Sequence, residues 1–200
     1  NRTTAAAPSA LFQALYTANT RSARTAAASA IASHVCTKGV RALIDDDILD
    51  ELKRAARSKA PLEKEGAMVA FEELIRKTGL SLGAVDPYYV SLVPYLLDNY
   101  VESGKTASIK DAAEKAAKQL QRLPPPEVAP RMIEELFLYV ESNAKWRSKV
   151  GALELIAMFA ITAKDQVAER LGDYVPRLVP AMQDTKSEVR RLSPFPLCQV

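Results

Sequence analysis

The sequence is poor in the residues that build metal sites, disulfide frameworks and catalytic triads. Its 200 residues include two cysteines and one histidine. Cys36 and Cys198 form no Cys-x-x-Cys pair, so neither a disulfide framework nor a zinc site is indicated, and a reducing, cytoplasmic setting is the simplest expectation. His34 forms a His-x-Cys pair with Cys36 but has no further ligand nearby in sequence. We therefore expect no metal, no cofactor and no enzymatic activity in this chain.

Long apolar runs and strand patterns are also missing. The longest uncharged run, Thr3–Thr20, is rich in Ala and Thr and contains Pro8, which argues against a membrane span. We find no convincing alternation of apolar and polar residues, so helical patterns dominate. The composition, 48% hydrophobic and 26% charged, is that of a soluble folded chain. The net charge of +3 permits contact with nucleic acid without requiring it.

Acidic residues are absent from the first 44 positions, which carry five cations. This pattern resembles a transit peptide, but it also fits a basic first helical unit, which we favour. The chain begins with Asn1 rather than methionine, so we expect a fragment or a processed product.

Helical periodicity divides the sequence into segments of about 10 to 18 residues joined by short turns, which is typical of helix hairpins. Breaks are expected at Gly79, Gly83, Gly104 and the triple proline 124–126, because a run of prolines cannot continue a helix. The predicted helices are Ser9–Ala18, Arg21–Val35, Asp46–Ser58, Pro61–Thr78, Pro87–Val101, Ser108–Leu120, Glu127–Glu141, Lys145–Thr162, Asp173–Gln183 and one that starts at Ser187.

Two stretches of the sequence recur at nearly the same offset. Tyr88, Leu92, Val93, Pro94 and Asp98 recur 86 residues later as Tyr174, Leu178, Val179, Pro180 and Asp184. Lys64, Gly66, Ala67 and Met68 recur 85 residues later as Lys149, Gly151, Ala152 and Leu153. Half of this offset is about 43 residues, within the range of a HEAT or armadillo unit.

The repeat predicts an all-α HEAT-repeat α-solenoid, a right-handed superhelix of antiparallel helix hairpins. About four helix-pair units would occupy residues 1–191. Residues 192–200 form an irregular tail with two prolines, which we interpret as a truncation or a mis-joined end.

Two other motifs suggest chemistry but have simpler explanations. Residues 102–106, Glu-Ser-Gly-Lys-Thr, resemble a phosphate-binding loop, yet the glycine that the motif requires five residues before Gly104 is replaced by Asn99. We predict a turn between helices there. The run Asp45–Asp47 could bind a cation, but capping of the helix that follows is the favoured interpretation.

Basic residues concentrate in three clusters. They are Lys53, Arg54, Arg57 and Lys59; Lys145, Arg147 and Lys149; and Lys186, Arg190 and Arg191. If these clusters align along one edge, they form a basic ridge suited to phosphates. An ordinary helix surface covered by ion pairs is the other interpretation, and the 24 acids slightly favour it. Trp146, beside the second cluster, is expected to pack on the preceding hairpin rather than to stack on a base.

Three short segments resemble the N-terminal HEAT domain of fungal-type translation elongation factor 3. Residues 143–150 are similar to its N-K-W-x-x-K segment, Ala163–Ala168 to its A-K-D-Q-V-A turn, and Asp184–Val189 to its W-D-T-K-x-E-V turn, although Gln183 replaces the tryptophan. The resemblance is strong over 127–191 and looser from Leu11 onward.

The resemblance implies a ribosome-binding scaffold that contacts small-subunit rRNA and proteins, with other elongation factors as further partners and no membrane. In that family, ATP-binding cassettes elsewhere in the protein drive release of tRNA from the exit site; no catalytic residue carries over to this chain. We expect the ribosome or RNA contacts at Lys145, Arg147, Lys149, Lys186, Arg190 and Arg191. The HEAT region of the ribosome-associated activator of the amino-acid-starvation kinase is a similar alternative, as is an adaptor that binds only proteins.

Overall fold

The computed structural model describes residues 8–79, 86–100, 107–120, 128–142 and 145–194. Within these ranges every regular element is a helix, as predicted. None of these helices is both long and apolar enough to cross a membrane. The chain divides into two compact units, unit 1 (Asn1–Leu123) and unit 2 (Pro124–Val200).

Unit 1 contains eight helices in the part that the structure describes. They are α1 (Pro8–Thr17), α2 (Arg21–Lys38), α3 (Ala42–Asp45), α4 (Ile48–Ala56), α5 (Pro61–Thr78), α6 (Asp86–Val90), α7 (Val93–Asn99) and α8 (Ala107–Leu120). Helix α5 is the centre of the unit and packs against α1, α2, α4 and α8. It can do so because its buried residues, from Gly66 to Thr78, surround the helix rather than form one stripe.

Glycine is required where α5 crosses α1. A Cβ atom at Gly66 would lie 3.0 Å from Cδ1 of Tyr16 and 3.2 Å from Cγ of Leu15. Leu15 is fully buried and has little room to move. The absent side chain therefore sets the close approach of the two helices.

A buried arginine ties the loop between α1 and α2 to α5. The Nη1 atom of Arg24 lies 2.6 Å from Oε1 of Glu65, and Nη2 donates to the carbonyl oxygen of Ala18 at 2.7 Å. Arg24 is only 4% exposed. A buried cation is tolerated there because a carboxylate and a backbone acceptor compensate for its lost hydration.

The aspartates before α4 act differently from the prediction. Asp47 occupies the N-cap position with φ 53°, but its side chain makes no capping hydrogen bond. Asp46 instead lies 2.6 Å from Nε2 of His34 and 3.1 Å from Nζ of Lys38. The capping prediction was therefore wrong for both residues, and Asp46 links α2 to the turn before α4. The described residues contain no group of three or more potential metal ligands.

Unit 2 contains five helices in the ranges that the structure covers. They are α9 (Ala129–Ser142), α10 (Trp146–Thr162), α11 (Lys164–Ala168), α12 (Leu171–Met182) and α13 (Ser187–Leu192). Helix α10 packs against α9 and α13, and α12 packs against α13. The ring of Tyr174 lies 5.3 Å from that of Phe137.

Burial confirms the internal repeat and corrects its register in the second stretch. At an offset of 85 residues, Tyr89 matches Tyr174, Val93 matches Leu178, and Leu96 matches Ala181. All six of these residues are buried. At the offset of 86 predicted from identical letters, buried Val93 would match Val179, which is 43% exposed. Tyr89, rather than Tyr88, is therefore the counterpart of Tyr174, and one offset of 85 describes both stretches.

Candidate nucleic-acid interface

The second and third basic clusters lie in unit 2, at the beginning of α10 and around α13. Lys145 precedes α10, and Arg147 and Lys149 belong to its first turns. Lys186 precedes α13, and Arg190 and Arg191 belong to its last turn. Since α10 packs against α13, the two clusters come from neighbouring helices. The first cluster, Lys53 to Lys59, lies in unit 1.

Lys149 joins the two segments through an ion pair. Its Nζ lies 2.8 Å from Oδ2 of Asp184, and the side chains are only 23% and 12% exposed. The other carboxylate oxygen of Asp184 accepts the backbone N–H of Lys186 at 2.9 Å. The hydrogen bond from Lys149 and then that from Lys186 lower the pKa of the Asp184 carboxyl group. Asp184 therefore organises the turn between α12 and α13 and ties it to α10.

Arg190 stabilises the same turn from the other side. Its Nη1 donates to the carbonyl oxygens of Asp184 at 2.7 Å and Thr185 at 3.0 Å. These carbonyls follow the end of α12, where backbone acceptors lack helical partners. Of the six predicted contact residues, Lys149 and Arg190 thus hold the turn together, and their predicted role in partner binding stays a prediction.

The other four cations are exposed on the same unit. They are Lys145, Arg147, Lys186 and Arg191. In the part of the chain that the structure describes, no carboxylate lies within 4 Å of the charged atoms of Arg147, Lys186 or Arg191. The guanidinium carbon of Arg147 lies 5.2 Å from the ring centroid of half-buried Trp146, a cation–π contact that leaves the charge exposed.

The N-terminus of α10 is electrostatically unusual. Its first turn contains no acid, and Lys145 at the N-cap position has no side-chain acceptor for the first N–H groups, which lack partners within the helix. Positive charge at this end of a helix is unfavourable by about 0.3–1 kcal/mol because it adds to the positive end of the helix dipole. Free N–H groups beside exposed cations form an environment that favours an anion such as phosphate. The positive charges at this helix end are unfavourable in the isolated helix and would be stabilised by a partner that carries phosphate.

The stacked helices of both units and their 85-residue repeat define a helical-repeat protein of the HEAT class. Residues 24–193 match the family described as "EF3 N-terminal HEAT repeat". The chain belongs to this family, as the resemblance of its three short segments indicated.

Similarity to three relatives extends over most of the chain. Elongation factor 3 of Gonapodya prolifera is 33% identical over 92% of this chain. The mRNA export factor elf1 of Schizosaccharomyces pombe is 34% identical over 72% of this chain, and the stalled ribosome sensor GCN1 of Mus musculus is 26% identical over 95%. The chain spans only 17%, 13% and 7% of the respective lengths of these proteins.

The partnership of Lys149 with Asp184 was missed by sequence reasoning, although both residues belong to segments that carried the resemblance. The two residues are 35 positions apart and belong to different segments, so helical spacing gave no signal of the pair. Other predicted features lie outside the described residues, namely the phosphate-loop lookalike at 102–106, Asn143 and Ala144 of the first segment, and the tail from residue 195. The division of residues 1–191 into four helix pairs stays a prediction.

Proposed function

We propose that this chain is a ribosome-binding HEAT scaffold, and that Lys145, Arg147, Lys186 and Arg191 contact phosphates of small-subunit rRNA. The observation that carries the proposal is the N-terminus of α10, which has no acid in its first turn, no side-chain cap, and an exposed arginine. An rRNA phosphate would accept hydrogen bonds from the free N–H groups and neutralise the neighbouring cations.

The turn built by Asp184 has a supporting role in this proposal. Lys149 ties this turn to α10 and Arg190 bonds its carbonyl oxygens, so Lys186 belongs to a segment that is fixed against α10. Arranging cations in advance lowers the entropy lost when a partner binds.

The names of two of these relatives, elongation factor 3 and the stalled ribosome sensor GCN1, favour a role in translation. In a longer protein of the elongation factor 3 type, ATP hydrolysis by separate cassettes would promote release of tRNA from the exit site, and this chain would supply docking without catalysis. Ribosomal proteins and other elongation factors are further expected partners, and the cytoplasm is the expected location. The similarity to GCN1 over 95% of the chain favours, as a second candidate, docking within a sensor of stalled ribosomes.

Co-sedimentation with purified ribosomes tests the proposal. The triple variant Arg147→Glu, Lys186→Glu, Arg191→Glu should pellet at least tenfold less efficiently than the wild type, because attraction to phosphate becomes repulsion. The matched control reverses three exposed cations elsewhere, Lys118→Glu, Arg131→Glu and Lys164→Glu, and should pellet like the wild type. Equal pelleting of the folded triple variant and the wild type would refute the proposed surface.

A further inference from the structure

A second basic surface lies in unit 1, where two cations approach one tyrosine ring. The Nζ of Lys53 lies 5.8 Å from the ring centroid of Tyr95, and the guanidinium carbon of Arg57 lies 4.3 Å from it. Lys53 and Arg57 are four residues apart at the end of α4, so their side chains share one helix face. Tyr95 belongs to α7 and is half-buried. Two helices thus bring two positive charges and an aromatic ring together.

Ion pairing distinguishes this surface from its surroundings. Arg54, on the same helix, is paired with Glu51 at 2.7 Å and with Glu63 at 3.1 Å. Within the described ranges, by contrast, no carboxylate lies within 4 Å of the charged groups of Lys53, Arg57 or Lys59. Glu51 and Glu63 therefore compensate Arg54, and no ion pair within the described residues compensates the other three cations.

The positive end groups of Lys53 and Arg57 repel each other while they share one ring. A cation–π contact at an exposed site is weak, so the ring by itself does not cancel this repulsion. The negative end of the α4 dipole favours cations here but does not account for the aromatic ring that both cations approach. An anion near both end groups would remove the repulsion.

The ring and the guanidinium also suit a planar ligand. Arginine stacked on an aromatic ring extends the flat surface on which a nucleobase can stack, and such stacking tolerates any base. A phosphate beside a stacked base would meet Lys53, and the exposed Lys59 follows Arg57 by two residues in the chain. A flexible acidic peptide would satisfy the cations but would gain nothing from the ring.

We infer that Lys53, Arg57, Lys59 and Tyr95 form a binding surface for single-stranded RNA, with one base stacked on Tyr95 and Arg57 and the flanking phosphates bound by the lysines. This surface belongs to unit 1 and does not depend on the ribosome contacts proposed for unit 2. RNA binding here could therefore succeed or fail independently of ribosome binding.

Fluorescence anisotropy with a labelled 12-residue oligouridylate tests the inference. The full chain carries the Arg147→Glu, Lys186→Glu, Arg191→Glu substitutions, so that binding by unit 2 is suppressed and the remaining signal reports on unit 1. In this background, Lys53→Ala with Arg57→Ala should weaken binding at least tenfold, and Tyr95→Leu about fivefold or more. Arg54→Ala is the matched control, because it removes a neighbouring but already paired cation, and it should change affinity less than twofold. Circular dichroism confirms that each variant is folded.

Two further ligands separate stacking from charge. With an abasic 12-residue phosphodiester, Tyr95→Leu should have no effect, whereas the double alanine variant should still bind more weakly. A glutamate 12-mer should bind at least tenfold more weakly than the RNA. Equal affinity for the glutamate peptide, equal effects of Tyr95→Leu on RNA and abasic strand, or unchanged RNA binding by the folded double variant would each overturn the inference.

Discussion

Lys149 and Asp184 are 35 residues apart in sequence, yet the ammonium of one and the carboxylate of the other meet at 2.8 Å. Lys149 belongs to the Lys-Trp-Arg-x-Lys segment that opens α10, and Asp184 opens the Asp-Thr-Lys turn before α13. Two of the three segments that carried the family resemblance are therefore in direct contact. The ion pair links the two segments physically, because each segment supplies one of its partners.

Removal of Lys149 should destabilise the fold, unlike removal of its exposed neighbour. Lys149→Met keeps the apolar stem but leaves the largely buried carboxylate of Asp184 without its cation, which we expect to cost about 1–3 kcal/mol of unfolding free energy. Lys186→Met is the control, since the side chain is exposed, and it should change stability by less than about 0.5 kcal/mol. Urea unfolding followed by circular dichroism measures both. Equal stabilities of the two variants would contradict a structural role for the pair.

Acid should weaken the same contact. The pKa of Asp184 is lowered in the folded protein, so its contribution to stability is complete above the pKa of the unfolded chain, about 3.9, and is lost as pH falls toward the folded value. The difference in urea midpoint between the wild type and Asp184→Asn should therefore be constant from pH 7 to about pH 5 and shrink below that. A difference that stays constant down to pH 3 would show that the charge of Asp184 is not involved.

Two glycines should respond to alanine in opposite directions. Gly66→Ala introduces a Cβ at 3.0 Å from Tyr16 and 3.2 Å from buried Leu15, and we expect a loss of about 1–3 kcal/mol despite the better helix propensity of alanine. A Cβ at Gly172, in the first turn of α12, would meet no described atom within 4 Å beyond its own helix backbone and chain neighbours. Gly172→Ala should therefore raise stability by up to about 1 kcal/mol. Thermal unfolding compares the two, and a stabilised Gly66→Ala protein would disprove the close crossing of α1 and α5.

The two arginines of α2 should differ sharply in their contribution. Arg24→Ala leaves Glu65 without its buried cation, and by analogy with other buried ion pairs we expect a loss of about 3–5 kcal/mol. Arg21 pairs with Asp111, but the side chains are 47% and 46% exposed. Arg21→Ala should therefore cost less than about 1 kcal/mol. Chemical denaturation of the two variants checks the contrast, and comparable losses would show that burial does not set the contribution of the Arg24 pair.

The longer helices could be predicted from sequence, and the short ones could not. Periodicity gave the bounds of α5 correctly and those of α10 to within one residue. It missed α3 and α11, because four or five residues are too few to display a period of 3.6. The predicted helix 87–101 is divided into α6 and α7 ahead of Pro94, which cannot donate a backbone hydrogen bond. Pro180, in contrast to Pro94, lies well inside the continuous helix α12.

The sequence could predict which residues form the candidate basic surface, but not which of its cations are paired with acids. Clustered lysines and arginines are visible in the sequence, but a cation's pairing depends on which acid the fold brings beside it. Lys149 meets Asp184 through the packing of α10 on α13, whereas Arg54 meets Glu51 within one helix. Spacing of three or four residues in the sequence reveals pairs within one helix, such as Arg54 with Glu51. It gives no information on pairs between helices, such as Lys149 with Asp184.

The salt dependence of ribosome binding tests the proposed function most directly. Each phosphate contact should contribute about −0.7 to −0.9 to the slope of the logarithm of affinity against the logarithm of salt concentration. We expect a clearly negative slope for the wild type, and a slope shallower by about 2 to 3 for the Arg147→Glu, Lys186→Glu, Arg191→Glu variant. A slope near zero, or equal slopes for the two proteins, would contradict phosphate recognition by the basic surface of unit 2.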